Sequence, residues 1–338
     1  MWPVPILLLA ELFNVKVPES IVLTSSATVA LNQILQGLDY RRIRTVYLSP
    51  FEHNSVLRPL HMLQKRHGFK LESLPFHGFE WDEGRTRRMF SNAKPDLVVL
   101  SHASNVFGNI LPARKIFSQA KACDAITVLD CSQSAGMLDV DMIALNADFA
   151  AFPGHKGLCG PSGIGGFAIH ASAPLAPMIL GGTGVKSDDL EPPEAIPDRF
   201  EAGSHNSLGI IGLNLALKWI QASGIDTLRA RKRETTRKLF SVLARHGDSL
   251  EVLSDSTRDN VGVVSCVFKK HSPSEAGVLL DKSDIAVRTG LHCAPHAHRH
   301  IGTFPLGAVR FSPGHFTTDD DLAILDAALK DDFAGAKM

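Results

Sequence analysis

Along the first two thirds of the chain, short apolar runs alternate with longer stretches whose apolar residues recur at helical spacing. The runs Ile21–Thr24, Thr45–Leu48, Lys70–Leu74, Leu97–Leu100, Ile126–Leu129, Phe149–Phe152 and Ile164–Ile169 read as strands. Thr28–Leu38, Ser55–His67, Asp82–Phe90 and Pro112–Cys123 read as helices between them. That alternation predicts an α/β domain with a mostly parallel sheet. Residues 172–203, rich in Gly, Pro and Asp, read as loop, and two helices follow over Ser207–Ala222 and Asp226–His246. The rhythm then changes. A strand over Val261–Phe268, a helix over Ser274–Leu280 and a strand over Ile285–Arg288 lead into a Gly/His/Pro-rich loop through Leu306. A strand over Ala308–Ser312 and a last helix close the chain. Thr317 is the predicted N-cap of that helix, with Asp319, Asp320 and Asp321 in the first turn, where the dipole favours anions. The pattern as a whole predicts a large α/β domain over 1–222 and a smaller C-terminal α+β domain over 223–338.

Composition narrows the function classes. The 338 residues suit two domains. Apolar residues make up 44% and charged residues 21%, which argues for a packed core and against disorder. Lys+Arg and Asp+Glu are both 35, so there is no basic excess to argue for nucleic acid or an anionic membrane. The basic run Arg229, Arg231, Lys232, Arg233, Arg237, Lys238 reads as a solvated helix face. No apolar run approaches the ~18 residues of a membrane span. Cys123, Cys131, Cys159, Cys266 and Cys293 are an odd, scattered set without CxxC spacing, which points to a reducing, cytoplasmic setting. The apolar start through Ala10 lacks a basic flank and a cleavage site, so it reads as the beginning of an amphipathic helix ending at Glu11-Leu12-Phe13, and no signal peptide is expected.

In open α/β sheets, ligands bind beyond the carboxyl ends of the strands. Three predicted strand ends carry reactive side chains. Leu97–Leu100 runs into Ser101-His102-Ala103-Ser104-Asn105, Ile126–Leu129 into Asp130-Cys131-Ser132-Gln133, and Phe149–Phe152 into Pro153-Gly154-His155-Lys156. A carboxylate after one strand and a lysine after the next suit a pyridine aldehyde cofactor. The carboxylate keeps the ring nitrogen protonated, and the lysine condenses with the aldehyde. Each element alone has a plain alternative, as a helix cap or a loop. The glycines after Lys156 do not form a P-loop, since no GxxxxGK[ST] occurs, and Gly181-Gly182-Thr183-Gly184 opens no clear helix.

In order, the segments TSSATVALN (24–32), FEHNSVLRPL (51–60), SHASNVFGNILP (101–112), LDCSQSAG (129–136), GHKGLCGPSGIGG (154–166), GGTG (181–184), RFEAGSHNSLGIIGL (199–213), VRTGLHCAPHAH (287–298) and GTFPLGAVRFSPG (302–314) resemble the cysteine desulfurase branch of the class V aminotransferases. These are pyridoxal-phosphate enzymes of fold type I. The resemblance covers nearly the whole chain, apart from a leading strand-and-turn segment that the family carries ahead of the Ala10-Glu11-Leu12-Phe13 helix.

The resemblance implies roles for particular residues. Lys156 would bind the cofactor aldehyde and shuttle the substrate Cα proton. Asp130 would pair with the ring nitrogen, Gln133 would bond the ring hydroxyl, and His53 would stack on the ring. Asn105 would lie near the ring oxygen or the substrate carboxylate. Ala27 and Thr28, at a helix N-terminus, would hold the phosphate with His155. Pro153 stands where the family often has a phosphate-binding Ser or Thr, and it offers neither hydroxyl nor N–H. Thr183 would reach the phosphate of a partner subunit, implying a homodimer. Arg310 would fork onto the substrate carboxylate. Cys293 would take sulfur as a persulfide, with help from His292, while the other four cysteines are expected to be packing residues.

The activity so implied is conversion of L-cysteine to L-alanine, with sulfur passed through Cys293 to an acceptor protein. Selenocysteine lyase or another class V reaction on a small amino acid is the neighbouring alternative. A poorly active or non-catalytic dimeric scaffold is the alternative from another class, motivated by the short N-terminus. The Cys293-Ala-Pro-His296-Ala-His298-Arg-His300 tract also invites a zinc reading, but it presents no standard tetrahedral set, and no metal is expected.

Overall fold

A computed structural model describes residues 3–333. The chain forms two compact units, 1–102 with 111–225 and 103–110 with 226–338.

The first unit holds α1 (Pro3–Leu12), β1 (Ile21–Thr24), α2 (Ala27–Gly37), β2 (Thr45–Leu48), α3 (Asn54–His67), β3 (Lys70–Ser73), β4 (Phe76–His77), β5 (Glu80–Trp81), α4 (Glu83–Asn92), β6 (Leu97–Ser101), α5 (Ala113–Lys121), β7 (Ile126–Asp130), α6 (Met142–Leu145), β8 (Phe149–Pro153), β9 (Gly165–Ile169) and α7 (Ser207–Ser223). Seven strands form one sheet in the order β1-β9-β8-β7-β6-β2-β3. Neighbours from β8 through β3 pair in parallel, and β9 runs antiparallel to both β8 and β1. Six strands therefore point one way, and their carboxyl ends line one edge. Strands β6, β7, β8 and β9 are buried almost throughout, which explains why they read as continuous apolar runs. One core face packs Val22, Leu31, Ile34, Val46, Leu60 and Val99. The expected buried face exists: Leu9 of α1 and Phe13 just after it are fully buried, with the Phe13 ring 4.9 Å from Phe152.

The second unit holds α8 (Ile225–Ala244), β10 (Leu250–Val252), β11 (Val264–Phe268), α9 (Pro273–Lys282), β12 (Arg288–Gly290), α10 (Pro295–Ile301), β13 (Ala308–Phe311) and α11 (Asp319–Phe333). Its sheet is antiparallel, in the order β10-β11-β13-β12. Leu239, Leu243, Val264, Leu280, Val309, Leu325 and Leu329 form its core.

Several expectations change in detail. The hairpin β4–β5 and edge strand β10 are too short and too polar to register as apolar runs. The loop expected through Leu306 contains α10, whose histidine-rich sequence hid a helix entered at Pro295. The cap of α11 is Thr318, whose Oγ1 accepts from Asp321 N, whereas Thr317 turns its hydroxyl to Gly314 N. The three aspartates do occupy the first turn. The basic face of α8 is solvated and paired: Arg233 with Asp259, Arg237 with Glu234, and Lys238 with Asp319. Among the described residues, no single helix is long and apolar enough to cross a membrane.

Candidate active site

Strand register sets the site of the first unit. Ser101, the last residue of β6, pairs with Asp130, the last of β7, and Asp130 with Ala151 in β8. At the other side, Gly165 of β9 faces both Pro153 and Thr24. A Cβ at Gly165 would sit 3.0 Å from Ala27 N, so only glycine lets the first turn of α2 settle against the sheet edge. A Cβ at Gly157 would meet Ala135 O at 2.4 Å. The loop carrying Lys156 is thus laid directly on the turn that follows Asp130. By these contacts Ala27, Thr28, Asp130, Gln133, His155 and Lys156 are gathered along one edge, and His53 stands beyond β2 on the same edge.

Asp130 is 3% exposed, and its Oδ1 accepts from Ser132 N at 2.8 Å. Gln133 is half-buried, and His155 and Lys156 are exposed. Burial and the Lys156 charge both hold His155 below the ordinary histidine range. Helix α2 is capped by Ser26, whose Oγ accepts from Val29 N at 3.2 Å. The N–H groups of Ala27 and Thr28, in the first turn, have no intrahelical acceptor and point out of the helix, as an anion requires. Pro153 is the buried last residue of β8, so it adds no donor. His53 caps α3: its Nδ1 accepts from Ser55 N at 3.1 Å, which assigns the ring proton to Nε2. Thr183 is half-buried beside Gly182, whose carbonyl accepts from Gly203 N.

This donor set fits pyridoxal phosphate by its chemistry. It offers an anionic group on a buried strand end, a lysine one strand away, a planar ring and the amino end of a helix. Sequence reasoning missed three side chains here. Ser26 was legible as a serine before a helix. Glu52, a carboxylate in an apolar turn, left only a negative signal. Glu201, whose Oε1 accepts from Leu23 N, borders a cavity of about 230 Å³ with Thr24, Ser25, Ser204, His205 and Asn206.

The second unit gathers Asn105, His292, Cys293 and Arg310. Segment 103–110 joins it through Ser265 Oγ, which donates to Val106 O at 2.6 Å, and Asn260 Nδ2, which donates to Phe107 O at 2.9 Å. Asn105 Nδ2 donates to His292 O at 2.7 Å, and an Arg310 guanidinium N–H donates to Asn105 O at 2.9 Å. Asn105 Oδ1 and Arg310 Nε are buried without a hydrogen-bond partner. Both are polar atoms whose desolvation a bound polar ligand would offset. Arg288 faces Arg310 across β12 and β13. Burial and this neighbour pull Arg310 below the ordinary arginine range, and Cys293 opposes them.

Cys293 is exposed at the tip of a tight turn closed by Ala294 N donating to Leu291 O at 2.9 Å. His292 and Cys293 lie in the left-handed region, at φ 49° and 57°. That conformation costs about 1–2 kcal/mol per non-glycine residue, and the bonds at His292 hold it. The part expected of His292 is corrected. Its Nε2 donates to Ala308 O at 3.2 Å, and burial lowers its pKa to about 3. A neutral, carbonyl-bound imidazole brings no positive charge to the thiol; the charge beside Cys293 is that of Arg310. Cys131 and Cys266 are buried packing residues as expected, but Cys159 is exposed and Cys123 half-buried. Among the described residues no group of three or more His, Cys, Asp or Glu side chains is arranged to hold a metal.

Comparison with known proteins adds a family. Residues 8–325 match the model of the class-V aminotransferases. A probable cysteine desulfurase of Pyrococcus abyssi (strain GE5 / Orsay) is 34% identical over 303 residues, which cover 84% of this chain and 72% of the relative. The apo structure of cysteine desulfurase from Thermococcus onnurineus NA1 has a TM-score of 0.91 at 28% identity and covers 99% of this chain and 84% of that one. An Escherichia coli cysteine desulfurase structure described with an S-sulfonic acid has a TM-score of 0.89 at 25% identity and covers 97% and 82%. With this fold and a match along most of its length, the chain belongs to the class-V aminotransferase family.

Proposed function

We propose that the protein is a pyridoxal-phosphate-dependent L-cysteine desulfurase. The observation that carries the reading is the pairing of two sets of side chains with cysteine desulfurase relatives: the strand-end set around Asp130 and Lys156, and the exposed Cys293 turn beside Arg310. When bound, pyridoxal phosphate supplies the electron sink that lets a proton leave the substrate Cα.

The chain's own residues do the rest. Lys156 would hold the cofactor at its aldehyde and would serve as the base that moves the substrate Cα proton. Asp130 would keep the ring nitrogen protonated, Gln133 would bond the ring hydroxyl and His53 would cover a ring face. Ala27, Thr28 and His155 hold the phosphate, and Thr183 contributes to the phosphate site of a second subunit. Arg310 takes the substrate α-carboxylate with Asn105 beside it. The Cys293 thiolate attacks the substrate sulfur. A sulfur–sulfur bond forms, the substrate Cβ–S bond breaks with its electron pair left on Cβ, a proton is added at Cβ, and Lys156 returns a proton to Cα before alanine leaves. The persulfide sits on an exposed turn, where an acceptor protein can reach it.

The homodimer is supported by α7, on which Leu208, Ile211 and Leu215 form an exposed apolar stripe at 82%, 48% and 62% exposure. The five cysteines, an odd and scattered set without CxxC spacing, support a cytoplasmic setting. The test is a titration of purified protein with pyridoxal phosphate, followed by alanine and sulfide assays on L-cysteine and L-selenocysteine. Saturable binding, with alanine formed from cysteine in preference, is expected. A marked preference for selenocysteine would make the protein a lyase of that substrate, and no binding at saturating cofactor would leave only a scaffold.

A further inference from the structure

Glu52 is fully buried, immediately before His53. Its Oε1 accepts from Ser101 N at 2.8 Å and from Ser49 Oγ, and its Oε2 accepts from Ser101 Oγ at 2.8 Å. Ser49 Oγ also accepts from Phe51 N at 3.1 Å. The whole turn from Ser49 to Glu52 is closed to water, and the Phe51 ring packs edge-on against Phe76. A buried carboxylate is costly, and a class of fold that needed only an apolar turn here would not carry one. Burial, opposed by these hydrogen bonds, raises the Glu52 pKa to about 7, and the nearby Asp130 charge pushes the same way.

The carboxylate's contacts are specific to two places. One is the β2–α3 turn that carries His53. The other is Ser101, the register neighbour of Asp130. On its other side, the His53 ring is already fixed by Ser55 N. We propose that Glu52 is a positioning residue, a clamp that ties the His53 turn to the end of β6 and so sets the stacking histidine against the strand end that carries Asp130. This rests on the cofactor reading given above. Glu52 touches neither cofactor nor substrate; it acts through His53 and Ser101.

The test uses full-length protein loaded with pyridoxal phosphate. The readouts are the visible circular dichroism per bound cofactor, which reports how firmly the ring is oriented, and kcat for alanine formation. In Glu52→Ala the dichroic amplitude is expected to fall several-fold and kcat about tenfold or more, the scale of a small misplacement at a reacting centre. Glu52→Gln keeps an acceptor for Ser101 N and is expected to retain both within about twofold. Ile116→Ala, a core truncation in α5, serves as a control of similar destabilisation and is expected to keep its dichroism per bound cofactor. Should Glu52→Ala not fold, Ser101→Ala removes a single clamp bond, and its amplitude is expected to drop about twofold or more. An unchanged signal in Glu52→Ala or in Ser101→Ala overturns the clamp, as does an equal loss in Ile116→Ala. Wild-type protein that takes up no pyridoxal phosphate overturns the proposed function and the clamp with it. Binding by wild type with an indifferent Glu52→Ala overturns the clamp alone.

Discussion

The two units build their chemistry in opposite ways. In the first, the side chains proposed to hold the cofactor sit where six co-directional strands end, so a regular sheet does the positioning. In the second, Cys293 is presented by two consecutive left-handed residues on an irregular turn, held by side-chain and carbonyl bonds from Asn105 and Ala308. A group that must be held still, such as a planar ring and its phosphate, is served by sheet edges and helix ends. A thiol that must be reached from outside is served by an exposed tip with a fixed base.

Mutations can break this comparison, and the largest effects belong to the groups that carry chemistry. Lys156→Ala is expected to lower alanine formation by about 10³-fold or more and to remove the visible absorbance distinctive of lysine-bound cofactor. Cys293→Ser is expected to lower desulfuration by about 10²-fold or more while leaving that absorbance unchanged. If Cys293→Ser disturbed the absorbance as Lys156→Ala does, the division of labour between the units would be wrong. Arg310→Lys comes next. A point charge in place of a planar fork is expected to raise KM for cysteine about tenfold, with a smaller change in kcat. A purely kcat effect would move Arg310 away from the carboxylate.

The smallest effect is on stability against pH, where the first unit carries buried groups of both signs and the second carries buried histidines of one sign. His292 and His298 in the second unit are held at about 3 and about 4 by burial, below the ordinary ~6.5. The unfolded chain takes up these protons first. Their contribution to stability is therefore intact above about pH 6.5 and is lost as pH falls toward the folded values. His102 in the first unit, at about 4, behaves likewise. Glu52, raised to about 7, is opposite: the folded state holds its proton more tightly, so its contribution is present below about 4.5 and lost as pH rises through 7. Between pH 7 and 5 the two partly cancel in the first unit, and among the described residues no raised carboxylate opposes the histidines in the second. Hydrogen exchange at pH 5 is expected to show β13 and α10 losing protection before β6 and β7. Equal loss in both would sink this asymmetry.

Much of the site was legible because the sheet writes itself into sequence. Each strand end is an apolar run followed by a polar or glycine-rich turn, and Asp130, Gln133, His155 and Lys156 follow directly on such runs. Glu52 was illegible because nothing in sequence tells a buried carboxylate in a turn from a solvated one. The neutrality of His292 was hidden because its carbonyl partner, Ala308, lies across a strand pair. Helix α10 was hidden because PHAHRHI has no apolar face of its own to announce it.

The sequence by itself determined the alternation of strands and helices and the family, and it named the candidate site residues, since these follow from local periodicity and from motifs in order. Only the tertiary structure decided which of them keep company. It reversed β9 within an otherwise co-directional sheet and joined residues 103–110 to the second unit, where Asn105 meets His292 and Arg310. It also buried Glu52 against Ser101. The physical reason is that these arrangements rest on hydrogen bonds and packing between residues far apart in the chain, and on the desolvation that burial imposes, neither of which local pattern encodes.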